Sequence, residues 1–153
     1  MFHLVTHNPM KNIHLAVLVS VPFLFASCKK ADESADLDFA KSAFESLARG
    51  DTDAASKIDW ETLTSMGVNV GAQYVKIPSE TEKQDFRNAF VTQFSSSFRD
   101  SGGSVDSFVD WRVIFHDQNR TDVAADSPKG TLNIAVTKRD SVERISALSS
   151  SMK

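Results

Sequence analysis

One cysteine, one tyrosine, six glycines and four prolines among 153 residues set the first limits on this chain. A lone cysteine excludes an internal disulfide and any zinc site built from clustered thiolates. Three of the four histidines, His3, His7 and His14, crowd the amino-terminal segment, so that His116 is alone beyond it. Beyond that segment no cluster of imidazoles or thiolates is available, and no metal or other cofactor is expected. A surplus of basic charge is missing too: 17 Lys and Arg face 20 Asp and Glu, for a net charge of −3. With the two signs interleaved, no positive face is available for nucleic acid. The sequence has no Gly-x-Ser-x-Gly turn, no glycine-rich phosphate loop and no internal repeat. Asp51-Thr52-Asp53 opens in the manner of a calcium loop, but Ser56 and Thr62 stand where such a loop needs a glycine and a closing glutamate.

What is present begins with an apolar run, Ile13–Cys28, preceded by Lys11 and followed by Lys29-Lys30. A basic start, about 14 apolar residues and small residues at the end are the parts of a secretory leader, and the run falls short of the roughly 20 residues of a membrane-spanning helix. The small pair Ala26-Ser27 directly before Cys28 resembles the lipobox of bacterial lipoproteins, with Phe25 where the family usually has leucine. That resemblance implies cleavage between Ser27 and Cys28, a diacylglycerol on the Cys28 thiol and a place in the bacterial cell envelope. By the same resemblance, Lys29 and Lys30 in place of an aspartate favour the outer membrane where there are two. The segment before Met10 has no Lys or Arg, which points to Met10 as the true start.

After a leader over 1–27, residues 28–35 read as the lipidated cysteine and a polar tether, spanning at most about 25 Å. One domain is expected over 36–149, with a frayed tail at 150–153. From Asp36 as cap, Phe39, Ala43 and Leu47 run beside Ala40, Phe44 and Ala48 at the helical spacing of four, and Gly50 can end the helix. The stretch 50–67 reads as a second helix or helix pair ended by Gly67, and 68–77 as a strand or an extended connector. Ser79-Glu80-Thr81-Glu82 is a capping box. Behind it Phe86, Phe90, Phe94 and Phe98 repeat every four residues. This stripe is either a core face packed on a sheet or the wall of an apolar pocket.

From Phe108 the period becomes two. Val109, Trp111, Val113 and Phe115 form one apolar row, Thr121–Ala125 returns, and Leu132, Ile134 and Val136 form another row before a last strand near Val142–Leu148. Short links imply an antiparallel meander. The expected class is α+β: amino-terminal helices packed on a curved antiparallel sheet, the phenylalanine stripe against the Trp111 face. The element order, the Gly50-Asp51 turn and the closing hairpin at Lys138-Arg139-Asp140 resemble the NTF2-like (cystatin-like) superfamily, with Arg144 where the family usually has an aromatic. The resemblance implies a cone-shaped domain over residues 36–149.

That superfamily includes isomerases, dehydratases, lipid carriers and non-catalytic modules, so fold alone assigns no activity. Asp110, His116, Tyr74 and Asp59 are the candidates for acid/base roles. Asp110 alternates against the Trp111 row, and His116 sits beside Asp117 at a strand end, which suits a solvated turn. Trp60 is either a partner anchor or core. The leading reading is a membrane-anchored module that binds an envelope protein or a small apolar ligand. A tethered enzyme of the SnoaL or ketosteroid-isomerase type and a local lipid-binding protein are the alternatives.

Overall fold

The computed structural model describes residues 24–152, with side chains from 32 onward. The leader through residue 23, Met10 included, and the side chains of Ser27 and Cys28 lie outside the described residues. Helix α1 runs from Leu24 to Arg49. It contains the segment 29–35 that the sequence marks as a tether, and Asp36 is an interior helical residue rather than a cap. The reason is local: Lys29–Ala35 holds neither glycine nor proline, so nothing in it interrupts a helix once one has formed on the core. Ala40, Ala43, Phe44, Leu47 and Ala48 are buried, and the alanines let the backbone of α1 lie close to the sheet. The helix ends as expected at Gly50, whose φ of 79° lets the amides of Gly50 and Asp51 both reach Ser46 O, at 3.0 and 2.9 Å.

Residues 51–67 depart from the helical expectation. A single 3-10 turn, Ala54–Lys57, leads into a loop and two short strands, β1 (Thr64–Ser65) and β2 (Val68–Asn69). Gly67 ends no helix. Met66 and Gly67 have φ of 47° and 82° and form the two-residue turn of this hairpin, the arrangement that matches the twist of the flanking strands. One helical turn, α2 (Gly71–Tyr74), connects to α3 (Glu80–Asp100). The cap at the start of α3 forms in a variant of the expected box: Ser79 Oγ accepts from the Glu82 amide at 3.2 Å, and the Glu82 carboxylate turns back to accept from the Ser79 hydroxyl at 2.8 Å.

Four longer strands follow: β3 (Val109–His116), β4 (Arg120–Ser127), β5 (Gly130–Arg139) and β6 (Val142–Met152). The sheet has the order β2-β1-β6-β5-β4-β3 and is open. It is mixed rather than purely antiparallel, because β1 runs parallel to β6 with Thr64 opposite Ala147. Ser150–Met152, read as a frayed end, are paired strand residues: Met152 lies opposite Gly130. At Gly130 a Cβ would meet Ser151 O at 2.1 Å, so this pairing requires glycine.

Leu132, Ile134 and Val136 alternate into the core as their spacing predicts. The single row expected on β3 does not form. Register shifts between Val109 and Arg112 and between Val113 and Phe115 break the alternation. Asp110, with φ of 54°, sits in the first of these bulges. Phe108, Trp111 and Val113 pack against the core, while Val109, Ile114 and Phe115 are exposed. Helix α1 lies across β3 to β6, and α3 packs against α1. The phenylalanine stripe thus meets Phe44 of α1 edge-on, at 6.5 Å from Phe94 and 5.8 Å from Phe98. Trp60 is 7% exposed, 5.4 Å from Phe90, and its Nε1 donates to Ala55 O at 2.8 Å, so it is core.

Candidate functional site

Only part of the perimeter of the phenylalanine rings is covered by α1 and Trp60. Beside the carboxy-terminal half of α3 lies a hollow of about 880 Å³. Phe44, Phe94, Phe98, Phe108 and Leu132 form its apolar wall, and the β4–β5 turn with Ser150–Met152 completes it. A second hollow of about 370 Å³ lies further towards the amino end of α3, between Phe86, Phe90 and Phe94 on the helix and the β1–β2 hairpin. The stripe is therefore both core face and cavity wall. Trp111, expected beside it as pocket or core wall, packs on Phe44 and Phe108 at 6.3 and 6.4 Å, against the core.

The rim of the larger hollow is rich in hydroxyls, most of them engaged. Ser101 Oγ donates to Phe98 O, Ser107 Oγ to Ser104 O and Ser127 Oγ to Gly130 O. Lys129 is the one ionisable side chain in the described lining, and its ammonium caps the end of α3 by donating to Ser101 O at 2.5 Å and Gly102 O at 3.3 Å. A cation at that place complements the negative end of the helix. The described lining thus offers apolar surface, hydroxyls and one positive charge, and no acid/base pair.

A separate polar cluster lies where α1 crosses the other end of the sheet. Asp36, 1% exposed, accepts a hydrogen bond from Thr121 Oγ1 on its Oδ2. His116 Nδ1 lies 2.8 Å from the same Thr121 oxygen and 3.5 Å from Asp36 Oδ2. Since the threonine proton goes to the aspartate, the imidazole must donate through Nδ1. Asp36 Oδ1 is met at 2.8 Å by the Lys138 ammonium, off the axis of a well-formed hydrogen bond. Burial works against the charge on Asp36, but Lys138 and Thr121 outweigh it and hold this carboxyl below its usual range. Glu143 is pushed up, first by burial and then by the neighbouring Asp36, while Lys138 is raised by Asp36. Among the described residues no group of three or more His, Cys, Asp or Glu is placed to hold a metal.

The four sequence candidates are not brought together. Asp110 is exposed at the bulge of β3. Tyr74 is buried against Trp60 at 5.7 Å, and its hydroxyl accepts from Arg87 at 2.6 Å. Asp59 is 6% exposed, its carboxylate 3.4 Å from Arg139. His116, read as a solvated turn residue, belongs instead to the buried cluster, with a side chain 9% exposed. Sequence reasoning missed Asp36, Met66 and Lys129. For Asp36 a signal existed: it lies four residues before Ala40 and so falls on the buried stripe of α1. Met66 and Lys129 carry none, since both owe their positions to turns that close onto α3 from elsewhere in the chain.

Comparison of the chain with protein-family models, with curated proteins and with solved structures finds no match. Among the described residues no helix is long and apolar enough to cross a membrane.

Proposed function

We propose that this chain is a lipoprotein of the bacterial cell envelope, anchored through a diacylglycerol on Cys28, whose domain is an NTF2-like cone that binds a small apolar ligand without transforming it. The observation that carries the reading is the 880 Å³ hollow walled by Phe44, Phe94, Phe98, Phe108 and Leu132, a volume in the ordinary range for small-molecule sites. Helices preceding a sheet that is bulged on β3 and again between Ala135 and Val136 support the cone. Ala26-Ser27-Cys28 behind an apolar run supports the anchor, and Lys29-Lys30 supports the outer membrane as its place. An enzyme of the SnoaL or ketosteroid-isomerase type would need ionisable groups converging in the hollow. His116 and Asp36 are held in another cluster, and Tyr74 and Asp59 are engaged elsewhere.

Two measurements test this reading. Labelled fatty acid should be incorporated into the wild-type chain, and Cys28→Ser should abolish incorporation and release the protein from membranes. A mutant that stays bound with its leader attached overturns the anchor. Native mass spectrometry of the gently extracted protein should show a bound apolar molecule that is lost when Leu132→Trp fills the hollow. A folded wild-type protein that takes up neither a native ligand nor an added neutral apolar dye overturns the binding reading.

A further inference from the structure

The two hollows are consecutive along one helix. The larger follows α3 from Phe94 to Ser101, the smaller from Phe86 to Ser97, and they share Met66, Phe94 and Ser97. The residues from Phe86 to Ser101 rise about 22 Å at ~1.5 Å per residue, so the two hollows lie end to end as a trough along α3, with Met66, Phe94 and Ser97 where they adjoin. Charge is placed at one end of it only. Neither described lining contains a carboxylate, and the one ionisable group, Lys129, stands beside the carboxy-terminal end of α3. Two of its three donors serve Ser101 O and Gly102 O, which leaves a third for an incoming anion. On the face of the sheet that carries Leu132, the Ser150 hydroxyl makes no hydrogen bond among the described residues.

Met66 faces Phe94 and Ser97 at the junction of the two hollows, and its backbone is the second observation. It occupies a turn position with φ of 47°, where asparagine or glycine is the ordinary choice. Positive φ in a methionine marks a residue held against its preference. What the position gains is a flexible, half-exposed thioether where the two hollows adjoin, a side chain that adapts to apolar neighbours of different shape.

We infer that the trough takes one extended acyl chain with an anionic head, the head at Lys129 and the tail passing Met66 into the smaller hollow. This rests on the ligand-binding reading above and adds the chemical class and orientation of the ligand. A free fatty acid and a monoacyl phospholipid share that chemistry.

The test uses the full-length Cys28→Ser chain, so that its own lipid cannot compete, with cis-parinarate as the fluorescent probe. Palmitate should displace the probe at least tenfold better than hexadecanol, which has the same tail and no charge. Lys129→Gln should erase that difference. Lysophosphatidylglycerol in a parallel titration distinguishes the two sources: tighter binding than palmitate assigns the headgroup to a phospholipid, weaker binding to a free fatty acid. Ala89 lines only the smaller hollow and is exposed on α3, so Ala89→Trp should fold normally and obstruct that hollow alone. Palmitate should then weaken at least tenfold while decanoate, short enough for the larger hollow, is unchanged. Equal loss for both acids overturns the orientation. If a neutral dye, N-phenylnaphthylamine, binds but palmitate does not displace it, the acyl inference fails while the cavity reading stands. If neither dye nor acid binds, both fail.

Discussion

Asp36 shows how one side chain can set the pH response of a fold. Its carboxylate is buried under α1 and lies against Lys138 and Thr121, so removing it leaves the Thr121 proton without its acceptor and Lys138 with only Glu143, at 3.8 Å. Asp36→Ala should therefore destabilise the protein by about 3 kcal/mol or more, measured by urea unfolding at neutral pH. Because the folded-state pKa is lowered, the contribution is present above the usual carboxylate range and disappears as pH falls through the depressed value. The acid limb of the stability curve should accordingly flatten in Asp36→Ala. Glu143 has the opposite sign. Its pKa is raised by burial and by Asp36, so its charged form opposes folding above the glutamate range and the opposition is absent once the group is protonated. Glu143→Gln, which mimics the protonated acid, should raise the melting temperature at neutral pH and lose that gain on acidification.

At the scale of elements, the β1–β2 hairpin depends on a two-residue turn. A Cβ at Gly67 would meet nothing within 4 Å, so Gly67→Ala isolates the backbone cost of a positive φ, about 1–2 kcal/mol. Thermal unfolding should show that loss, and a neutral result would mean that the turn has another form in solution. This hairpin also shows where the sequence stops being legible. Helix α3 and strands β4 to β6 could be read because their signals are local: a capping box, a stripe of period four, a row of period two. The segment 51–67 could not, because pairing with residues far along the chain decides its shape. Ile58 bridges to Ile145, and Thr64 pairs with Ala147. The site divides the same way. The phenylalanine stripe announced an apolar wall, but Met66, Lys129 and Ser150–Met152 reach it only through tertiary structure. His116 was visible from its chemistry, whereas its partner Asp36 looked like a helix cap.

For the whole molecule, the two bulges of β3 bear on more than the packing of Trp111. The strand is the outermost member of the sheet and exposes Val109, Ile114 and Phe115. A straight strand of that composition would be a template for another copy of itself. The left-handed backbone at Asp110 and the shifted register bend this edge out of the line a second strand needs. Deleting Asp110 should remove the first bulge and produce a protein that aggregates with concentration in light scattering, while Asp110→Gly, which keeps the bulge, should not. Wherever copies of the chain are held close together, an irregular edge is a guard against self-templated fibre growth.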